Sequence, residues 1–178
     1  MRFQLRDYQQ AAIASAIQAR REGFRRLLIC LPTGAGKTVI FSELCRLANR
    51  NVLVLAHREE LLYQARSKIF KMTEGAVTVG IEQGDLQAET TCNVVVASIR
   101  SLRQERLQRL TQSFDFGLII YDECHHAAAD DNRRVLRQIG VFDADWDGTL
   151  IGFTATTTRG DGIGLDKVFE TIVYDRNI

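Results

Sequence analysis

The chain has 178 residues, of which 46% are hydrophobic and 25% charged, a composition that supports one sizeable core in a single domain. A formal net charge of +1 excludes nucleic-acid binding through overall charge, so any such binding must come from a local face. No apolar run approaches the roughly 20 residues of a membrane span, and the amino terminus lacks the apolar core of a signal peptide. These features predict one domain over residues 1–178, a cytoplasmic location and no membrane partner.

Apolar runs alternate with helical patterns along the whole chain. Strands are predicted at residues 27–31, 51–56, 76–81, 93–97, 116–121, 149–153 and 171–174. Helices are predicted over residues 7–22, from residues 37, 57 and 98, over 132–139 and over 165–169, and an exposed loop over 84–91. Continuous apolar strands that alternate with helices are typical of a mostly parallel sheet with helices on both faces, so the predicted fold class is α/β.

The first helix carries a candidate adenine contact near its start. Asp7 is the predicted N-cap, and an alanine-rich body follows it. The amide of Gln9 can donate a hydrogen bond to the adenine edge and accept one from it, while an aromatic or guanidinium plane, such as that of Arg6, can stack on the base. The alternative is a capped surface helix without a ligand, but the phosphate loop that follows favours the adenine interpretation.

A phosphate loop is predicted between the first strand and the second helix, with the sequence Leu31-Pro32-Thr33-Gly34-Ala35-Gly36-Lys37-Thr38. Gly34 and Gly36 let the backbone approach a ligand without a Cβ, and N–H groups at the helix start point at the phosphates. Lys37 would reach the β- and γ-phosphates of ATP, and Thr38 would hold Mg²⁺ through its hydroxyl. Leu31 stands where the pattern G-x-x-x-x-G-K-[ST] has glycine, and the alternative is a glycine turn with a solvated lysine.

Two further strand ends carry polar side chains at the positions where α/β sheets place their sites. His57 and Arg58 follow the second strand, and the alternative for them is an exposed capping turn. Ser98 follows the fourth strand and is predicted to cap the next helix, which leaves the helix amino terminus free for a phosphate. That helix carries a basic stripe, although charge runs are usually just solvated surface: Arg100, Arg103, Arg106 and Arg109.

Two acids stand directly at the end of the fifth strand, where burial is costly unless something binds them. Asp122 would hold Mg²⁺ through its water shell, and Glu123 would take the proton from an attacking water. His125 is placed to contact a neighbouring domain and to transmit a change at this site to it. Thr154 and Thr156 follow the sixth strand, where their hydroxyls can bind both the acidic pair and a neighbouring domain, and the alternative is an ordinary threonine-rich turn.

The four cysteines form no C-x-x-C pair, and we interpret them as small buried hydrophobic residues in a reducing compartment: Cys30, Cys45, Cys92 and Cys124. A zinc site at the two adjacent histidines that follow Cys124 is disfavoured, because they have no partner three or four residues away.

Together these motifs resemble the first RecA-like domain of a superfamily 2 helicase of the DExH branch. The resemblance covers nearly the whole chain and rests on the order of five stretches: Leu5-Arg6-Asp7-Tyr8-Gln9, Pro32-Thr33-Gly34-Ala35-Gly36-Lys37-Thr38, Ala56-His57-Arg58-Glu59-Glu60-Leu61, Asp122-Glu123-Cys124-His125 and Thr154-Ala155-Thr156. The Pro-Thr-Gly form of the loop is typical of this superfamily, which accounts for Leu31. The stretch after the second strand and residues 159–162 resemble the bacterial and phage group related to the repair helicase XPB and to type I and III restriction translocases.

The resemblance implies a RecA-like P-loop NTPase fold that binds ATP and Mg²⁺ and acts on nucleic acid, with DNA favoured over RNA. It also implies a role for each matching residue: adenine binding by Arg6 and Gln9, contact with one nucleic-acid strand by His57, Arg58 and the turn at Ser98, and coupling of the ATP state to that contact by His125, Thr154 and Thr156. Thr157 stands where many relatives have proline, which implies a looser turn and weaker coupling but unchanged phosphate chemistry.

Helicases of this superfamily work with two RecA-like domains, and the second domain is the expected partner of this one. It supplies arginine fingers, which are worth about 10³–10⁵ in rate in other phosphate-transfer enzymes. We therefore expect this lobe alone to bind ATP and to hydrolyse it barely. The alternatives are a nucleotide-binding switch or assembly module, which would not need Glu123, and a P-loop kinase, against which Gln9 and the Thr154-Ala155-Thr156 stretch argue.

Overall fold

The structure, a computed structural model, describes residues 4–32, 34–127, 129–155 and 164–176. Its centre is a seven-stranded parallel sheet: β1 (Arg26–Cys30), β2 (Asn51–Ala56), β3 (Val79–Glu82), β4 (Val94–Ser98), β5 (Phe116–Tyr121), β6 (Thr149–Thr154) and β7 (Thr171–Asp175). The α-helices of the described ranges are α1 (Asp7–Arg21), α2 (Lys37–Leu47), α3 (Leu61–Met72), α4 (Gln104–Ser113) and α5 (Asp130–Ile139). Short 3₁₀ turns lie at Ile99–Ser101, Cys124–His126 and Leu165–Lys167.

Two apolar cores lie on the two faces of the sheet. Successive residues of β1 alternate between them, with Leu27 and Ile29 in one core and Leu28 in the other. Helices α1, α2 and α3 cover the first face, and α4 and α5 cover the second. Because both faces are covered, the strands are apolar on both sides, which is why they read as continuous apolar runs. The predicted α/β class with helices on both faces is confirmed.

The strand order is β3-β4-β2-β5-β6-β1-β7. All the strands are parallel, so their carboxyl ends meet at one edge of the sheet. The loop after β1, the acids after β5 and the end of β6 therefore share that edge. Strand β7 is an outer strand of the sheet and lies beside β1. In the part of the chain that the structure describes, no helix is long and apolar enough to cross a membrane.

The predicted bounds are correct for β2 and β5, whereas other elements are shifted, shortened or extended. The third strand is Val79–Glu82 rather than 76–81, and the helix predicted over 165–169 is a 3₁₀ turn, Leu165–Lys167. The loop predicted as exposed over 84–91 contains the buried Ala88, whose backbone N–H donates to Oε2 of Glu82 at 2.8 Å.

The N-cap of α1 and the start of α3 differ from those predicted. Asp7 is the first helical residue and not the N-cap, which is Arg6; the backbone N–H of Arg6 donates to Oε1 of Gln9 at 2.8 Å. Helix α3 begins at Leu61 and not at residue 57, because the backbone N–H of Leu61 closes a turn onto the carbonyl of Arg58 at 3.2 Å. Residues 57–60 thus form the connection between β2 and α3.

The prediction that Ser98 caps the next helix is also wrong. Its side chain makes no capping hydrogen bond; it is the last residue of β4, and a 3₁₀ turn follows it. Helix α4 starts at Gln104, with Arg103 at the N-cap.

The predicted cysteine burial is confirmed for Cys30, Cys45 and Cys124, while Cys92 is half-buried. Burial raises the pKa of the Cys45 thiol to about 12, so this thiol stays neutral at physiological pH. Desolvation likewise raises the pKa of Cys124, and the nearby Asp122 carboxylate raises it further.

The predicted basic stripe is divided between two environments. Arg106 and Arg109 are half-buried and pair with Glu82, a fully buried carboxylate at the end of β3. Nε of Arg106 lies 3.5 Å from Oε1 of Glu82, and a terminal nitrogen of Arg109 contacts the same oxygen. This cluster ties α4 to the outer strand β3, whereas Arg100 and Arg103 remain exposed.

Replacing Arg109 with alanine is expected to lower the free energy of unfolding by about 1–3 kcal/mol, because a buried carboxylate loses a charged partner. Arg106 and the N–H of Ala88 stay in place, which keeps the loss below that of a fully orphaned charge. Urea unfolding measures it. Arg103→Ala is the matched control and should change stability by less than about 0.5 kcal/mol. Equal losses in the two variants would contradict the role of the Glu82 cluster.

Candidate functional site

The phosphate loop connects β1 to α2 through two left-handed glycines. Gly34 has φ of 84°, and Gly36, the N-cap of α2, has φ of 75°, a region that side chains with a Cβ rarely adopt. A Cβ on Gly36 would also lie 2.8 Å from Nε2 of Gln9. Pro32, Gly34 and Gly36 are exposed, whereas the side chains of Ala35, Lys37 and Thr38 are half-buried. The two left-handed glycines therefore shape the turn into α2, and anion binding by the N–H groups at the start of α2 stays a prediction.

The loop lysine and the first strand-end acid meet in an ion pair. Nζ of Lys37 lies 2.7 Å from Oδ1 of Asp122, with side chains 38% and 18% exposed. The backbone N–H of Asp122 donates to the carbonyl of Leu55 at 2.9 Å, which extends β5 along β2. The ion pair engages the ammonium group that the sequence assigns to phosphates, so phosphate binding would exchange one anionic partner for another.

Asp122 and Thr38 fit a magnesium ion whose remaining coordination positions would be filled by a bound ligand and water. Carboxylate and hydroxyl oxygens, here from Asp122 and Thr38, are the donors that Mg²⁺ prefers. The ammonium group beside Asp122 shows that this carboxylate accommodates a positive charge. The described ranges hold no cluster of three or more His, Cys, Asp or Glu residues that could bind a metal by itself. An ion here would therefore need further oxygens from phosphates and water.

The backbone of Glu123 is left-handed, with φ of 52° and ψ of 50°. For a residue with a Cβ, this conformation costs about 1–2 kcal/mol. It turns the chain from β5 into the 3₁₀ segment Cys124–His126, in which Cys124 is fully buried against the second core. The side chains of Glu123 and His125 are half-buried at the same edge of the sheet.

His57 lies within electrostatic range of the second acid. Burial is the main cause that lowers its pKa, followed by the positive charge of Arg100, while the Glu123 carboxylate acts in the opposite direction. His125 and Arg58 lower the pKa slightly further. The ends of β2, β4 and β5 therefore bring the predicted nucleic-acid contact and the predicted catalytic acid together.

Two exposed arginines, Arg58 and Arg100, lie close enough to His57 to lower its pKa, and Arg103 is exposed three residues after Arg100. Arg58 follows β2, and Arg100 and Arg103 follow β4; we call these three residues the basic edge. Sequence reasoning placed Arg100 and Arg103 in one stripe with Arg106 and Arg109, because it could not foresee the pairing with Glu82. Any binding of a phosphate backbone by a nearly neutral chain needs a local positive face of this kind.

Ser98 does not share this exposure. Its side chain is fully buried, and Oγ has no hydrogen-bond partner among the described residues. In the sheet, Ser98 of β4 lies opposite Ala56 of β2. Ala56 immediately precedes His57 in the sequence. The predicted contact with a nucleic-acid strand stays a prediction, and any such contact at this turn would come from its backbone or from exposed neighbours such as Arg100.

Two of the three predicted coupling residues, His125 and Thr154, lie within the described ranges. Thr154 is buried at the end of β6, and its carbonyl accepts a hydrogen bond at 2.9 Å from the backbone N–H of Leu31, at the start of the phosphate loop. His125 is in the 3₁₀ segment that packs against β6. Thr33, Thr156, Thr157 and residues 159–162 lie outside the described residues.

The start of α1 is bound to the phosphate loop by two side chains. Gln9 is 2% exposed; its Nε2 donates to the carbonyl of Gly36 at 3.3 Å, and its Oε1 accepts from the N–H of Arg6. The hydroxyl of Tyr8 donates to the carbonyl of Ala35, a contact that sequence reasoning missed. The amide of Gln9 thus caps its own helix and supports the loop, while Arg6 is exposed beside it. Adenine binding by Arg6 and Gln9 stays a prediction.

Comparisons with known proteins match the chain to one protein family and to two curated relatives. The sequence profile of the family described as type III restriction enzyme, res subunit, matches residues 2–159. The chain is 34% identical over 181 residues to irc3 of Schizosaccharomyces pombe, provisionally named a mitochondrial ATP-dependent helicase, covering 98% of this chain and 30% of that protein. It is 37% identical over 185 residues to IRC3 of Saccharomyces cerevisiae, provisionally named an ATP-dependent helicase, covering 98% of this chain and 26% of that protein.

The fold has solved counterparts. The UvsW helicase from bacteriophage T4 superposes with a TM-score of 0.74 at 18% identity, over 97% of this chain and 61% of that one. The chain therefore spans under a third of the two curated relatives and about three fifths of this structure. The profile covers most of the chain and agrees with the fold. The chain belongs to the family of type III restriction enzyme res subunits, and it is the first RecA-like domain of a superfamily 2 helicase of the XPB and restriction-enzyme type.

Proposed function

We propose that this domain is the ATP-binding lobe of a nucleic-acid-dependent ATPase that, with a second RecA-like domain, moves along or unwinds nucleic acid. The observation that carries the proposal is the 2.7 Å ion pair between Lys37 and Asp122, which joins the phosphate-loop lysine to the strand-end acid. Membership of the family and the ATP-dependent helicase names of the two yeast relatives support it.

Nucleotide binding would begin at the phosphate loop. Backbone N–H groups at the start of α2 would hold the phosphates, within a loop shaped by the left-handed Gly34 and Gly36. Lys37 would move from Asp122 to the β- and γ-phosphates. Asp122 and Thr38 would then hold Mg²⁺, which supplies neutralisation of the phosphate charge when it is bound.

Hydrolysis would depend on Glu123 as general base. Its carboxylate would orient a water for attack on the γ-phosphate and accept the proton from that water. Arginines of a second RecA-like domain would stabilise the charge that develops on the phosphate, so this domain alone would turn over slowly.

Nucleic acid would lie along the carboxyl edge of the sheet. The exposed Arg58, Arg100 and Arg103 would contact phosphates, and the half-buried His57 lies within electrostatic range of Arg58 and Arg100. We favour DNA over RNA because the family is described as a restriction enzyme subunit. A cytoplasmic location also stays a proposal, and one yeast relative is named as mitochondrial.

The test is to measure ATP·Mg²⁺ binding by calorimetry and ATP turnover with and without single- and double-stranded DNA and RNA. We expect binding, with turnover close to background. Absence of binding would overturn the nucleotide assignment. Rapid turnover without nucleic acid that is abolished by Lys37→Ala would overturn the requirement for a second domain.

A further inference from the structure

Arg176 connects the end of the last strand to the nucleotide side of the domain. Its backbone N–H donates to the carbonyl of Cys30 at 3.0 Å, which extends β7 along β1 up to the phosphate loop. Its side chain crosses to the start of α1, where Cζ of the guanidinium lies 3.9 Å from the centre of the Tyr8 ring. At that distance, the cation lies directly over the face of the ring.

Tyr8 carries this contact to the phosphate loop. Its hydroxyl donates to the carbonyl of Ala35, and the amide of the next residue, Gln9, donates to the carbonyl of Gly36 at 3.3 Å. The Tyr8 side chain therefore connects the guanidinium of Arg176 to the backbone that would hold the phosphates. Arg176 is exposed, whereas Tyr8 is half-buried beneath it.

A purine base binds a protein through stacking on a flat side chain as well as through hydrogen bonds. Gln9 is 2% exposed and its amide is already hydrogen-bonded at both ends, so it offers a base little new surface. A guanidinium is planar, and with one face on Tyr8 its other face can stack on a base. Tyr8 fixes that plane, which reduces the side-chain entropy lost when a base binds.

We propose that Arg176 is a base-binding residue of the nucleotide site, and that it stacks on the adenine while Tyr8 supports it from behind. The proposal rests on the proposed function, since it assigns the base end of the same ATP site. It differs from a purely structural role, in which Arg176 would only anchor the end of β7, and from a purely electrostatic role, in which its charge would attract the triphosphate.

The experiment compares ATP with tripolyphosphate, which carries the charge of the triphosphate without a base. Calorimetry with the wild-type protein, Arg176→Ala and Arg176→Lys separates the three roles. We expect ATP affinity to fall about 5- to 20-fold in both variants, because lysine keeps the charge but not the plane. Tripolyphosphate affinity should stay within about 2-fold of wild type. Arg21→Ala, an exposed arginine at the other end of α1, is the matched control and should leave both affinities unchanged.

Each other outcome overturns the assignment in a distinct way. Restored ATP binding in Arg176→Lys would indicate a role of charge alone. Equal weakening of ATP and tripolyphosphate in Arg176→Ala would indicate that the loop itself had lost support through Tyr8. If the wild type binds ATP and Arg176→Ala binds it equally tightly, only the role of Arg176 in base binding is removed. A wild type that binds neither ligand would remove the proposed nucleotide function, and this assignment with it.

Discussion

Replacing Lys37 with alanine is expected to weaken ATP·Mg²⁺ binding about 10- to 100-fold, because the phosphates lose a charge-assisted contact. Its ammonium group lies at the amino terminus of α2 and 2.7 Å from Asp122, the position from which it can reach phosphates at the loop. The lysine is more than a third exposed, so its loss should change the stability of the ligand-free domain little. Calorimetry measures the affinity, and urea unfolding measures the stability.

Lys68→Ala is the matched control, since Lys68 is an exposed lysine of α3 on the surface of the same domain. Its ATP affinity should equal that of the wild type. An unchanged affinity in Lys37→Ala would show that the loop does not bind phosphates through this lysine.

Asp122→Asn tests the exchange of partners that the ion pair predicts. Without metal, this variant should bind ATP about 2- to 5-fold more tightly than wild type, because Lys37 is released from its carboxylate partner. With Mg²⁺ it should bind more weakly, because the ion loses a carboxylate. A loss of affinity under both conditions would show that Asp122 supports the loop rather than competing for its lysine.

Replacing Glu123 with glutamine is expected to abolish hydrolysis while ATP binding is retained. The rate of phosphate release should fall about 10²- to 10⁴-fold, the usual contribution of a general base, with ATP affinity within about 3-fold of wild type. Glutamine has the same shape and keeps the left-handed backbone at φ 52°, so the turn after β5 should persist. The rate is measured by single-turnover phosphate release with a second RecA-like domain present, because the slow turnover expected of this domain alone leaves little rate to lose.

Glu59→Gln, an exposed carboxylate in the connection between β2 and α3, is the matched control and should leave the rate unchanged. The same variant of Glu123 separates a motor from a nucleotide-binding switch. A motor stops moving along or unwinding nucleic acid when hydrolysis stops. A switch that responds to bound ATP keeps its function without hydrolysis. A Glu123→Gln protein that hydrolyses ATP at the wild-type rate would remove Glu123 from the catalytic site.

The elements that depend on local patterns were predicted from the sequence. Apolar runs identified the strands because a covered parallel sheet is apolar on both faces, and β2 and β5 have their predicted bounds. Helix starts were less accurate, because the residue that caps a helix depends on which hydrogen bonds form. Asp7 was expected to cap α1, yet Arg6 is the N-cap and Gln9 bonds to its N–H. Ser98 was expected to cap α4, yet it is buried at the end of a strand.

The sequence by itself determined the fold class and the phosphate loop, because hydrophobic periodicity and the glycine-lysine spacing are properties of consecutive residues. Only the tertiary structure decided which distant groups meet. The strand order puts Lys37 against Asp122, the packing of α4 engages Arg106 and Arg109 with Glu82, and β7 carries Arg176 onto Tyr8. These contacts join residues on different elements, so they depend on strand order and helix packing, which no local pattern encodes.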